Sequence, residues 1–327
     1  MKIKVSTLLQ WPFTRQVSQS AREDIEFVIN QPIAHCDAWI VYQGLFRPET
    51  TICPPKNLIL FTYEPPGLHT YQPEFLKQFA KIITCHRNIE HPGVIYRHQA
   101  QPWLAGLRRH SQENIHSSLE VRFNFDDFAG MSPPPKSKLI SVLCSNKVMT
   151  EGHRQRLAFV EQLRQELGDV VDIYGYGFQP LADKWEALAP YKYHIVLENS
   201  IVDDYWTEKL ADAYLGYCFP IVSGCPNLHQ YFPPAAYLPI DIAHPLVAIA
   251  QIRQLLQDDP YQKKLPVIND ARQCILYKYN LFAEIPRLIN PSPTLPPQKI
   301  HLKDERLFLP GGWLKPWLRP LKDRLFT

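Results

Sequence analysis

Tyr191-Lys-Tyr-His-Ile-Val-Leu-Glu198-Asn199-Ser200, then Tyr205-Trp-Thr-Glu208-Lys209-Leu, then Phe219-Pro-Ile-Val-Ser-Gly224 is the stretch on which the reading of this chain turns. An apolar run, a polar loop, an amphipathic segment and a second apolar run predict strand, loop, helix, strand. The helix is expected over 207–217, where Leu210, Ala213, Tyr214 and Tyr217 recur at i, i+3, i+4 and i+7. Glu208 and Lys209 lie off that stripe, in the first turn. A helix start presents unpaired N–H groups and a partial positive charge, so it suits phosphate. A lysine there opposes the dipole and reads as an answer to an anion. The competing reading is a capping acid beside a solvated lysine. Glu198-Asn199-Ser200 follows the strand directly, either as the rim of a site or as a structural turn.

Upstream, short apolar runs alternate with helical or polar stretches. Lys2–Leu9, Ala38–Tyr42, Asn57–Tyr63, Lys81–Cys85 and Gly93–Tyr96 read as strands, with a helix over 73–79 opened by Pro73. Residues 105–131 read as polar and irregular, and Ser132-Pro-Pro-Pro-Lys136 as a stiff extended link, so the domain boundary is expected there. A second unit follows. Leu139–Cys144 and Val170–Tyr174 are expected strands. Between them Thr150 caps a helix to Leu167, with Leu157, Val160, Leu163 and Leu167 as its buried stripe and Gly168 as its stop. Pro245–Gln257 and Gln262–Leu281 read as helices. Strands alternating with helices indicate parallel α/β sheets, which take ligands at the C-terminal ends of their strands.

Composition narrows the chemistry. The 327 residues fit about two domains, 45% are hydrophobic and 20% charged. The net charge of +3 is too small to argue for nucleic acid. The excess base sits in the tail, where seven Lys/Arg stand against three acids over 299–327. Thirteen glycines make a glycine-rich phosphate loop an unexpected mode of nucleotide binding; thirty-one prolines favour abrupt turns. Seven cysteines, odd in number and without metal-ligand spacing, read as reduced thiols of a cytosolic protein. The N-terminus lacks a signal-peptide core, and no apolar run approaches the ~18 residues of a membrane span. The tail itself, with Trp313, Leu314, Trp317, Leu318, Leu321 and Leu325 among Lys315, Arg319, Lys322 and Arg324, suits peripheral contact with an anionic membrane face. Packing of its tryptophans on the enzyme body is the alternative, and Pro316 and Pro320 weaken a continuous helix.

Taken together, Tyr191-Lys-Tyr193, Glu198-Asn-Ser200, Tyr205-x-Thr-Glu-Lys209 and the Phe219-Pro-Ile strand resemble the donor-domain motif of the α-1,3/α-1,4-fucosyltransferases, glycosyltransferase family 10. Ser145-Asn146 after a strand, Arg156 on the next helix and Asp172-Ile-Tyr-Gly175 follow the same family order, so the resemblance covers about 138–242. It implies an α/β protein of GT-B fold, with two Rossmann-like domains facing across a cleft. These would be an acceptor domain over 1–136 and a GDP-fucose domain over 137–297, with a basic aromatic tail over 298–327. It implies metal-independent, inverting transfer, with GDP-fucose as donor substrate, a glycan acceptor and no cofactor. Carried over by position, Lys209 and Arg156 hold the diphosphate, Glu208 accepts hydrogen bonds from the ribose hydroxyls, and Asn199 and Tyr205 line the nucleotide and sugar subsite. Glu198, Ser145, Asn146 and Arg154 are further candidates; Arg154 competes with Arg156 from the opposite helix face.

Glu64, in Phe61-Thr-Tyr-Glu-Pro-Pro66, follows a strand where this family has its catalytic base, and two prolines fix the backbone after it. An inverting transfer needs such a carboxylate near the acceptor hydroxyl. A capped turn is the plain alternative. Asp203-Asp204 could suggest the metal-binding aspartates of other glycosyltransferases, but a solvated loop is the stronger reading. Two other functions stay open: a GT-B enzyme with a different nucleotide sugar, and a catalytically silent glycan- or nucleotide-binding relative.

Overall fold

The computed structural model describes residues 1–110, 119–146, 148, 150–291 and 296–309. Along the chain run β1 (Lys2–Thr7), α1 (Gln19–Asp24), β2 (Glu26–Ile29), β3 (Ala38–Tyr42), β4 (Glu49–Cys53), β5 (Leu58–Phe61), α2 (Pro73–Leu76), β6 (Lys81–Thr84) and β7 (Val94–Tyr96). Next come β8 (Leu107–Arg109), β9 (Leu119–Val121), α3 (Phe125–Gly130), β10 (Lys138–Leu143), α4 (Glu151–Leu167), β11 (Val171–Tyr174) and β12 (Tyr191–Leu197). The remainder is α5 (Glu208–Leu215), β13 (Phe219–Ser223), β14 (Leu238–Pro239), α6 (Pro245–Asp258), α7 (Tyr261–Tyr277), α8 (Leu281–Leu288) and β15 (Gln298–Leu302).

The chain forms two compact units. The first comprises residues 1–100 with the described residues from 281 onward. Its six-stranded sheet has the order β2-β1-β3-β5-β6-β7, parallel throughout. The near-continuous apolar runs of its strands follow from burial on both faces. In β3, Ala38, Ile40 and Tyr42 face a core that α8 completes with Leu281, Phe282, Ile285 and Leu288. Trp39 and Val41 point to the other face, against Phe75 and Leu76 of α2. β15 returns to pair antiparallel with β4.

The second unit spans residues 101–280. Its sheet, β11-β10-β12-β13-β14, is again parallel and again reverses direction beside its first strand, between β10 and β12. Each unit is therefore a doubly wound α/β layer. α4 begins at Thr150, whose side chain accepts from the His153 N–H, and stops at Gly168.

Three expectations shift. The units part at 100/101 and 280/281, not at 132–136. The segment read as irregular supplies Ala105, Phe125 and Phe128 to the second core, beside Trp103 just before it, and its aromatic residues are too widely spaced to show a period. The helix expected over 262–281 ends at Tyr277, and α8 is a separate helix in the first unit. The buried stripe of α4 is Phe159, Val160 and Leu163 together with Arg156, not Leu157 and Leu167. The tail over 311–326 lies outside the described residues, so the membrane reading of it stays untouched. Among the described residues, no helix is long and apolar enough to cross a membrane.

Candidate functional site

In a doubly wound sheet the crevice for ligands opens beyond the C-terminal strand ends where the order reverses. In the second unit that place lies between β10, which leads into Ser145-Asn146, and β12, which leads into Glu198-Asn199. Glu198 is buried there and organises the start of α5. Its Oε1 accepts from the Thr207 N–H (2.9 Å) and from Thr207 Oγ1 (2.9 Å), and its Oε2 lies 3.3 Å from Lys209 Nζ. Thr207 is the N-cap, its hydroxyl accepting from the Lys209 N–H (3.3 Å). The lysine ammonium also lies 3.0 Å from Thr207 Oγ1 and 3.5 Å from Glu208 Oε1.

Close backbone approach holds this arrangement. A Cβ on Gly224, at φ +150°, would come within 2.7 Å of Glu198 Cγ, so only glycine leaves that carboxylate its place. A Cβ on Gly152, in the first turn of α4, would stand 2.3 Å from the Asn199 carbonyl oxygen. The start of α4 is thereby pressed against the end of β12. Arg156 reaches the same spot: its Nη1 donates to Leu197 O (3.3 Å), and its Nε is buried without a hydrogen-bond partner among the described residues. Tyr205 is buried, and its hydroxyl donates to Asn199 Oδ1 (2.9 Å).

The charges acting on one another explain the titration of the site. For Lys209, burial works against the ammonium, but the Glu198 and Glu208 carboxylates outweigh it and hold the pKa up despite Arg156 nearby. For Glu208, burial would raise the carboxyl, yet Lys209 and Lys184 bring it down to about 2. His153 goes to about 4, first through burial and then through Arg156 and Lys209, so it is neutral at pH 7. His194, fully buried on β12, falls to about 3 through burial, then Lys184 and Lys136. Ser141 Oγ gives its hydrogen to Ala187 O (2.5 Å), so it accepts from the Nδ1–H of His194 (2.8 Å).

Arg156, Glu198, Asn199, Tyr205, Glu208 and Lys209 are thus gathered at one end of β12. Arg154 is not: it points away and pairs with Glu151 on the exposed face of α4 (2.6 Å). The helix period places residues 154 and 156 on different faces. Ser145 and Asn146 stand beyond β10 with local partners, the Asn146 N–H donating to Tyr176 O (2.9 Å) and its side chain lying against Gly177. Asp204 is not the solvated loop residue expected; it is buried, with Oδ1 accepting from Tyr231 OH (2.6 Å) and Asn227 Nδ2 (2.9 Å). Sequence reasoning passed over Lys184, His153 and Asp212. Lys184 and His153 carry no periodic signal. Asp212 does, as a charge within the buried run of α5.

Glu64 belongs to the first unit, in the turn just past β5. Its carbonyl oxygen accepts from His86 Nε2–H (2.8 Å), and the His86 N–H donates to Thr84 Oγ1 (3.0 Å) at the end of β6. Burial lowers the His86 pKa, keeping the ring neutral and able to hold the Glu64 backbone. Pro65 and Pro66 stiffen the following turn.

The family described as Glycosyltransferase family 10 (fucosyltransferase) C-term matches residues 133–263. The chain is 31% identical over 129 residues to the 4-galactosyl-N-acetylglucosaminide 3-alpha-L-fucosyltransferase FUT6 of Pongo pygmaeus, covering 38% of this chain and 34% of that one. It is 32% identical over 109 residues to the human 3-galactosyl-N-acetylglucosaminide 4-alpha-L-fucosyltransferase FUT3, covering 32% and 30%. The chain thus spans about a third of the length of these relatives. Among solved structures, an alpha1,3-fucosyltransferase aligns over 90% of both chains at 17% identity, with a TM-score of 0.49. Another, an alpha1,3-fucosyltransferase with GDP-fucose, aligns over 86% of this chain and 91% of that chain at 16% identity, with a TM-score of 0.45.

Proposed function

We propose that this chain, whose residues 133–263 match the glycosyltransferase family 10 model, transfers L-fucose from GDP-fucose to a hydroxyl of a glycan. The observation that carries the reading is the convergence of Lys209, Arg156 and the N-terminus of α5 at the end of β12, inside the family-matched segment. Two cations and a helix start form a place for a diphosphate. The buried, unpartnered Arg156 Nε adds a donor that asks for an acceptor.

In the proposed reaction the acceptor oxygen bonds to C1 of fucose on the face opposite GDP. The bond from C1 to the β-phosphate oxygen breaks, and the configuration inverts. The leaving GDP gains negative charge in the transition state. In this reading Lys209 and Arg156 stabilise that charge without a metal ion. Arginine's planar fork suits phosphate oxygens, while lysine acts as a point charge. Glu208, held ionised, accepts from the ribose hydroxyls; Asn199, oriented by Tyr205, lines the sugar subsite. Glu64 takes the acceptor's proton as the new bond forms. The acceptor we favour is O3 of an N-acetylglucosamine or glucose unit in a surface polysaccharide or lipopolysaccharide, met at the cytoplasmic face. The 3-fucosylating relative supports the position, since its name gives transfer to O3 of an N-acetylglucosaminide.

Titration calorimetry with GDP, UDP, GDP-fucose and GDP-mannose, with and without EDTA, tests the donor. The expected order places GDP-fucose and GDP far ahead of UDP, unchanged by EDTA. A preference for UDP, or loss of GDP binding on chelation, overturns the assignment. Glu64→Gln is expected to lower turnover by roughly 10²–10⁴-fold with GDP affinity unchanged. Normal transfer by that variant would remove Glu64 as the base.

A further inference from the structure

Lys184 is the charged group at this site that no motif announces, and its setting is built. The turn that carries it is anchored by buried Asp183, whose Oδ1 accepts from the N–H groups of Gly106 (2.9 Å) and Trp185 (2.9 Å), and whose Oδ2 pairs with Arg122 (3.1 Å). From this turn the Lys184 ammonium reaches 3.3 Å from Glu208 Oε1 and 3.5 Å from Asp212 Oδ2. Asp212 is itself buried on α5, its Oδ1 accepting from the Leu104 and Ala105 N–H groups (2.9 and 3.0 Å). Its Oδ2 has no hydrogen-bond partner among the described residues. A cavity of about 10 Å³, bordered by Lys184, His194, Lys209 and Asp212, separates this group from β12.

Two ammonium groups on two different elements therefore meet one carboxylate, and both meet it at Oε1. Lys209 and Thr207 hold the Glu208 head from its own helix start alone. A second cation, fixed from the Asp183-anchored turn, sets the plane of the carboxylate. A lysine serving stability alone would be a poor choice here, because desolvating an ammonium between carboxylates costs about what it returns, and an apolar side chain would do as well.

We propose that Lys184 is a positioning residue for the donor: it orients the Glu208 carboxylate so that Oε2 receives the ribose hydroxyls. The proposal rests on the GDP-fucose reading of the site. It acts through Glu208 and touches no reacting atom. It follows that Lys184 governs the part of the donor affinity that comes from the ribose hydroxyls, and leaves the part that comes from the diphosphate to Lys209 and Arg156.

The test is calorimetry with GDP and with 2′,3′-dideoxy-GDP on the wild-type chain, Lys184→Met, Lys184→Arg, Glu208→Gln and the Lys184→Met/Glu208→Gln double variant, with melting curves for each. In the wild type, loss of the hydroxyls is expected to weaken binding by about tenfold to a hundredfold. In Lys184→Met and in Glu208→Gln that ratio falls toward one, the double variant is no worse than either single one, and Lys184→Arg restores most of it. If the melting curve shows that Lys184→Met does not fold, Lys184→Gln is read in its place. A wild-type ratio in a folded Lys184 variant, or equal weakening toward both nucleotides, overturns the positioning role and leaves the GDP reading standing. A wild type that binds GDP without regard to the hydroxyls overturns it also. A wild type that binds neither nucleotide overturns the donor reading, and this inference with it.

Discussion

The two units share one strand order yet place their buried charge differently. In the second unit six charged groups collect at the C-terminal strand ends, Glu198, Glu208, Lys209, Arg156, Lys184 and Asp212, while Asp183 and Arg272 brace chain segments. In the first unit they tie chain segments together. Lys4, buried in β1, pairs with Glu49 (2.9 Å) and donates to Gln31 O (2.7 Å). Glu284, buried in α8, takes both Arg97 (2.5 Å) and His98 (3.2 Å) on its Oε1. Glu64 is the carboxylate that the first unit sets just past a central strand. The difference teaches where to look for chemistry: charge at a strand edge is available to a ligand, whereas charge under a helix is spent on architecture.

The sharpest way to break that distinction is to remove one charge of each kind. Glu284→Ala leaves a buried histidine and an arginine without their carboxylate, and should cost about 3–5 kcal/mol of stability. Hydrogen exchange should rise in β1, β3 and α8 and stay put in β10 and β12, with GDP affinity intact. Lys209→Met should do the converse, abolishing measurable GDP binding, with any rise in exchange confined to β12 and α5, where Glu198 loses its cation, and none in β1 and β3. Should Glu284→Ala abolish GDP binding in a chain that still folds, the division of charge between ligand and architecture fails.

A second test uses pH. The folded chain holds His194 near pKa 3 against an ordinary 6.5, and His153 near 4. Each is depressed, so the unfolded chain binds the proton more tightly. Stability is complete above about pH 6.5 and is lost as pH falls through the window from 6.5 toward 3, each unit removing up to about 1.4 kcal/mol for His194. The melting temperature should fall accordingly, and His194→Gln should flatten the dependence. Lys184→Met should flatten it in part, because Lys184 is a cause of the His194 shift second to burial. A melting temperature that does not change between pH 7 and pH 5 would contradict the burial and the neighbouring cations that hold these two rings neutral.

How much of this could be read from the sequence differs between the units in the same way. The second unit's motif is local: strand, loop and helix lie within 34 residues, and the apolar period placed Glu208 and Lys209 in the first helical turn, with Thr207, read as the first helical residue, standing as the N-cap. Arg156 was placed by family order, and the structure adds that it interrupts an apolar stripe, which periodicity alone reads as a surface arginine. What stayed hidden is long-range. Lys184 meets Glu208 across 24 residues, and Asp183 reaches Gly106 across 77. No spacing rule covers such distances. The domain boundary failed for the same reason: a Pro-rich stretch looks like a linker, whereas the true crossings at 100/101 and 280/281 are marked only by which core Trp103 and Leu281 enter.

A smaller effect tests how the edge is held. In Gly224→Ala the new methyl meets Glu198 at 2.7–2.8 Å, at a backbone angle that disfavours any side chain. The expected cost is about 1–3 kcal/mol of stability. GDP affinity should fall as well, because Glu198 and Thr207 together hold Lys209. A variant that loses stability with unchanged GDP affinity would show that Lys209 does not depend on Glu198 for its place.

The smallest expected effect separates two arginines on one helix. Arg154 and Glu151 are both exposed and one turn apart on α4, and pairs of this kind contribute about 0.2–0.5 kcal/mol. Arg154→Ala should therefore leave melting temperature and GDP affinity within error of wild type. Arg156→Ala should weaken GDP binding clearly, since its guanidinium sits on Leu197 O at the end of β12 with Nε unpaired. Salt gives an independent check. Raising ionic strength screens the exposed pair but reaches buried groups less, so any effect of Arg154→Ala should vanish in salt while that of Arg156→Ala persists. Equal losses from the two substitutions would mean that the helix face, and not the strand end, is where the diphosphate is held.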